Sequence, residues 1–141
     1  MKSGPALKQL TAHRAIHDGA QVQAKNLTAD VMQLFHAKEM EECLKAAKSL
    51  VQHWEEKVVA HADAEDEGLY QDLLEGDEVP DKGLYILMRD HDLFRKITAQ
   101  IKDKLEKQGK VTQENIYEFT SLIIINDFHH QGEEETLFPG Q

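Results

Sequence analysis

The chain has 141 residues, 40% of them hydrophobic and 30% charged, with a formal net charge of -10 and one cysteine, Cys43. That length suits a single domain able to bury one core without disulfide staples. The lone cysteine excludes a disulfide framework, a thiolate zinc cluster and a cysteine-held iron–sulfur cluster, and points to a reducing cytoplasm.

The acidic balance, with no Lys/Arg-dense segment to neutralise phosphates, argues against a nucleic-acid partner. No apolar run approaches the ~20 residues of a membrane span, and Met1 to Leu10 lacks the apolar stretch of a signal peptide. Only three prolines and eight glycines interrupt segments rich in Ala, Leu, Lys, Glu and Gln, so the chain reads as all-α.

The first helix is expected over about 5–36, where Leu10, His13, His17, Ala20, Ala24, Leu27, Val31 and Leu34 recur at steps of three and four. A second is expected over 39–74 with Leu44, Ala47, Val51, Trp54, Val58, His61 and Glu65 on one face. Its junction with the first, near Ala37 to Met40, is the one connection without Gly or Pro. Turn residues then cluster from Gly76 to Gly83 around Pro80, which cannot continue a helix. The third helix, over 83–108, carries Leu84, Leu87, His91, Phe94, Thr98, Ile101 and Leu105 and ends near Gly109, a favourable C′ residue. The fourth, over 112–136, starts with Thr112 as N-cap and turns Phe119, Leu122, Ile125, His129 and Glu133 inward. Short connections predict an up-down-up-down antiparallel four-helix bundle.

Histidines and glutamates on these apolar seams are the unusual feature. His61 to Tyr70 and His129 to Phe138 both read His-x3-Glu-acid-Glu-small-Leu-aromatic, and a His-Asp pair precedes each, at His17-Asp18 and His91-Asp92. His and Glu four apart project from one helix face, a turn from each other. In an antiparallel bundle, residues at one level are equidistant from the loop between them. His17 and His61 centre on Glu39, Glu65 and His91 on Glu78, and His91 and His129 on Lys110, all in or beside expected loops.

A lone His-x3-Glu is usually an exposed pair, and a lone inward His is usually a hydrogen-bonded core residue. Six such residues agreeing in face, level and repeat are different, because burying them without a cation would cost several kcal/mol per unpaired ion. A metal centre on His17, His61, Glu65, His91, His129 and Glu133, in the bundle core, is the economical reading. Imidazole with carboxylate suits iron, zinc or manganese rather than calcium or magnesium.

His13, one turn before His17, reads as a spare ligand, a gate, a proton donor or a hydrogen-bonded residue of the bundle wall. His130 with Glu134 is an alternative to His129 with Glu133, which the repeat register disfavours. His36 and His53 fall outside the metal layer and read as surface residues. Gly132, inside the His129 to Glu133 turn, has no evident role beyond leaving space beside a ligand.

The pattern of His17, His61-x3-Glu65, His91 and His129-x3-Glu133-Glu134-x2-Leu137-Phe138-Pro139 resembles the hemerythrin-like (HHE cation-binding) family over nearly the whole chain. The resemblance implies a non-haem di-iron centre. His17 and His61 would serve one iron and His91 and His129 the other, with Glu65 and Glu133 bridging and an oxo or hydroxo bridge between the metals. Oxygen-carrying hemerythrins resemble HxxxH on the third helix, whereas Leu87 stands four residues before His91.

The function implied is binding or sensing of oxygen or nitric oxide, with an electron donor as a further partner. The alternatives are a redox enzyme consuming peroxide or nitric oxide, or an iron-donating repair protein; repair proteins of this type usually carry a cysteine-bearing N-terminal domain, for which there is no place here. No histidine has a Glu three residues before it, as a ferritin-like oxidase requires, and the HExxH of zinc hydrolases is absent.

Overall fold

The computed structural model describes the backbone of residues 4–140 and the side chains of 11–140; Leu10, expected on the inner seam, lies outside the described side chains. Helices account for nearly all of it, and no strand occurs among the described residues. In chain order they are α1 (Gly4–His36), α2 (Met40–His53), a π-helical turn (Trp54–Val59), α3 (Ala60–Glu67), α4 (Leu69–Glu75), α5 (Asp81–Gln108) and α6 (Gln113–Leu137). Helix α1 packs on α2 and α6, and α5 packs on α6 and α2. None of the described helices is long and apolar enough to cross a membrane.

The ends follow from local chemistry. Thr112 caps α6 by accepting from the Asn115 amide at 3.3 Å, while the Asn115 side chain accepts from the Thr112 amide at 2.9 Å. Gly109 closes α5 with φ 66, the left-handed conformation that glycine enters without Cβ strain. The α1–α2 connection has no such residue, and Lys38 takes φ 60 instead.

The helix expected over 39–74 is not continuous. The π turn, whose wider spacing lets Trp54, Val58 and Ala62 follow one another inward at steps of four, interrupts it first. A second break falls at Gly68, with φ -111 and ψ -88. Ala62 is consequently more deeply buried than His61. His53, read as a surface residue, is buried, its Nε2 3.0 Å from the Ala20 carbonyl; polarity alone misplaced it. His36 is exposed as expected.

All seven inward residues expected on α5 are buried. On α6 the seam runs through Asn126 rather than Ile125, because the Asn126 amide donates to Gln21 at 2.8 Å, and Gln21 in turn donates to Asp127 and the Ile123 carbonyl. Two apolar clusters result. The larger contains Leu50, Trp54, Phe94, Ile101, Phe119 and Leu122. The smaller contains Tyr70, Val79, Leu84 and Leu87. A polar layer separates them: His91 lies between Leu87 and Phe94 on α5, and Glu65 lies between Val58 and Tyr70.

Candidate metal centre

Each polar residue of this layer sits at an inward helical position, so helix packing converges them. His13 and His17 come from α1, His61 and Glu65 from α3, His91 from α5, and His129 and Glu133 from α6. Glu133 is fully buried, and His17, Glu65, His91 and His129 nearly so.

Two quartets of donor atoms form. His13, His17, Glu65 and Glu133 offer one ligand atom each within 4.8 Å of one another; so do Glu65, His91, His129 and Glu133. Each group can hold a metal ion, and both carboxylates belong to both. Glu133 Oε1 lies 3.0 Å from His13 Nε2, 3.5 Å from His17 Nε2 and 3.5 Å from His129 Nε2. Glu65 Oε1 lies 3.4 Å from His91 Nε2 and 3.6 Å from His61 Nε2. Five of the six residues expected from sequence therefore fall in the quartets. His61 stands at their edge and His13 stands within one.

Outer groups orient the inner ones. His91 Nδ1 is 2.8 Å from Asp66 and His129 Nδ1 is 2.9 Å from Asp90, an arrangement in which each ring donates through Nδ1 and turns Nε2 inward. The two Nε2 atoms are 3.1 Å apart and share a hydrogen bond in the metal-free protein, whose proton a cation between them would replace. Arg95 donates to Asp66, to Asp63 at 2.7 Å and to Asp92 at 2.9 Å. The Tyr70 hydroxyl donates to Glu133 Oε2, and its ring stacks on His91 with centroids 5.3 Å apart and planes 5° apart. His130 is in neither quartet; it stacks on His17 at 4.0 Å and lines the neighbouring cavity, while Glu134 accepts from Arg14.

Burial acts on these groups in opposite ways. It raises Glu65 to about 9, helped by the charge of Glu133, so Glu65 holds a proton at neutral pH. It also pushes Glu133 upward, but His13, His129, the proton of Glu65 and His17 outweigh it and keep Glu133 ionised. Desolvation takes His17 down to about 2 and His130 to about 4, and lowers His61. Burial opposes the charge of His13, yet its hydrogen bond to Glu133 leaves it raised.

Two buried atoms of the layer, His61 Nε2 and Glu65 Oε2, have no hydrogen-bond partner. Such orphans are costly in a native interior, and a cation is a partner that suits both. Beside them a cavity of about 20 Å³ is lined by Ile16, Ala20, Val58, Phe94 and Asn126 with the histidines, room for one water-sized molecule.

Asp66, Tyr70, Asp90 and Arg95 were not singled out from sequence. Asp66 and Tyr70 do occupy matched positions of the internal repeat, the available signal. Asp90 was masked by its neighbour: His91-Asp92 looked like the meaningful pair, but Asp92 accepts from Arg95 and Asp90 holds His129. Comparison with family models, with curated proteins and with solved structures returns no match.

Proposed function

We propose that the chain is a hemerythrin-like protein, an up-down-up-down antiparallel four-helix bundle whose core holds two iron ions and binds oxygen or nitric oxide. The observation that carries this reading is the sharing of Glu65 and Glu133 between two histidine-bearing quartets. A mononuclear site needs no second quartet, and two independent sites would not use the same carboxylates.

The fold reading is supported by the ring of neighbours α1, α2, α5 and α6 and by contacts at matched levels, Asp66 with His91 and Asp90 with His129. Iron is favoured over zinc or manganese by the resemblance; the mixed imidazole and carboxylate donors accept all three. His17, His61, His91 and His129 with Glu65 and Glu133 would hold the metals. Iron held there would supply a redox-active, Lewis-acidic pair able to take a diatomic ligand.

The protein's own groups do the rest. Asp66 and Asp90 fix the His91 and His129 rings, Tyr70 holds Glu133 Oε2, and Val58, Ala20 and Phe94 give the cavity apolar walls. A space of about 20 Å³ beside the histidines favours a diatomic ligand over a larger organic one.

The test is anaerobic loading with ferrous iron, metal counting, and then admission of oxygen or nitric oxide while charge-transfer absorption is followed. Two irons per chain and a band that reverses on removing the gas are expected. One iron or none refutes the dinuclear reading, and rapid irreversible oxidation with turnover of peroxide or nitric oxide replaces binding by redox catalysis.

A further inference from the structure

The two quartets share their carboxylates but are built differently around their histidines. His91 and His129 are each held at Nδ1 by an aspartate, and one of those aspartates is itself held by Arg95. Tyr70 adds a parallel ring against His91. Both rings are nearly inaccessible to solvent and flanked by Phe94, 6.3 Å from His91 and 5.4 Å from His129. Their rings are therefore held in place, so a cation need only replace the 3.1 Å contact between their Nε2 atoms.

Across the layer, no hydrogen bond reaches Nδ1 of His13 or His17 among the described residues. Among the described residues, their ring contacts are with each other, His61, His130 and Phe138. His13 Nε2 also bonds Glu133 at 3.0 Å, a contact that a cation must replace before that nitrogen becomes a ligand.

We propose that the centre loads in order. One cation is held first and tightly by His91 and His129, and a second is held weakly and exchangeably at a position that His13 completes with His17. This rests on the dinuclear reading above. His13 stands one turn before His17, the same spacing as the position on α5 that Leu87 occupies relative to His91, so a fifth histidine is supplied from α1 instead. Loss of an outer-shell hydrogen bond typically weakens metal binding by ~10–100-fold, so two anchored rings against none predict a separation of at least about tenfold between the steps.

The experiment is an anaerobic titration of the metal-free full chain with cobalt(II) alone, followed by visible absorption and calorimetry against a chelator of known affinity. Wild type is expected to bind two equivalents in two resolved steps. His13→Gln should leave the first step unchanged and weaken the second by more than about tenfold. Asp90→Ala should weaken the first step and collapse the separation, while Asp90→Asn, whose amide oxygen still accepts from Nδ1, should largely restore it. Helical circular dichroism checks that each variant is folded.

Two indistinguishable steps in wild type overturn the ordering, and a His13→Gln protein with both steps intact overturns the role of His13. Wild type that binds a single equivalent overturns the dinuclear reading itself, a separate result.

Discussion

On the dinuclear reading proposed above, Glu65 has two roles that one substitution separates, a proton carrier in the metal-free protein and a shared ligand in the loaded one. Burial and the charge of Glu133 raise its carboxyl from the ordinary 4.5 to about 9. A group whose pKa is higher folded than unfolded stabilises fully below the unfolded value and loses that stabilisation as pH rises through the folded one. Between pH 7 and 8.5 the folded metal-free chain thus binds up to one proton more than the unfolded chain. Stability should fall by at most about 1.4 kcal/mol per pH unit.

At a urea m-value of ~1.5–2 kcal/mol/M, that is a midpoint shift of about 0.7–0.9 M per pH unit. Near pH 7 other groups act with the opposite sign: burial lowers His17, His53, His61 and His130, and the unfolded chain still holds about a quarter of a proton on each, which offsets most of the Glu65 slope until roughly pH 7.75, where their contribution has faded. Cys43, raised above 9.0, acts at higher pH. His13, raised from 6.5, adds a smaller fall of the same sign. Glu65→Gln mimics the protonated carboxyl, so it should fold about as stably as wild type at pH 7, lose most of the slope, and bind metal poorly. Urea unfolding of chelator-treated protein at three pH values between about 7.75 and 8.5, where the lowered histidines contribute little, measures it. A Glu65→Gln slope equal to wild type, or a wild type whose stability does not fall with pH, refutes the assignment of the proton to Glu65.

Metal loading must displace the protons of Glu65 and His13, so apparent cobalt(II) affinity should rise from pH 6 to pH 8, and calorimetry in buffers of different ionisation enthalpy should register proton release. Tyr70→Phe removes a donor from a buried carboxylate and should destabilise the metal-free protein by about 1.5–3 kcal/mol, read from urea midpoints. Gly132→Ala should be neutral or stabilising by up to ~1 kcal/mol, since a Cβ there meets only Leu87 Cδ2 at an ordinary 3.5 Å. Lys38→Gly should raise the thermal midpoint, relieving a left-handed lysine by about 1 kcal/mol.

The parts legible in sequence are those where polarity and periodicity agree. Every inward position of α5 was readable because Leu84 to Leu105 alternate at three and four with charged residues between them. The inward histidines and glutamates were readable because they break that pattern twice in the same register. What stayed hidden depends on partners far along the chain. Asn126 is inward only because Gln21 meets it from 105 residues away, and His53 is inward only because the Ala20 carbonyl accepts it. The π turn has no residue signature; Trp-Glu-Glu-Lys-Val-Val reads as ordinary helix, so the deeper burial of Ala62 beside His61 could not be anticipated.

The metal-free layer is itself nearly satisfied, which explains how so many polar groups coexist between two apolar clusters. One proton between Glu65 and Glu133 removes a buried charge, Tyr70 and His13 answer Glu133, and Asp66 and Asp90 answer His91 and His129. Within the layer, the buried side-chain atoms still unpaired among the described residues are His61 Nε2 and Glu65 Oε2. Both atoms belong to residues that line the small cavity. A second hydrogen-bonding side chain could satisfy one of them, but a cation satisfies both and also replaces the proton on Glu65. The folded chain therefore leaves two unpaired buried atoms beside groups that could hold a metal ion, and Glu65→Gln is the substitution that should weaken metal binding there while sparing the helices.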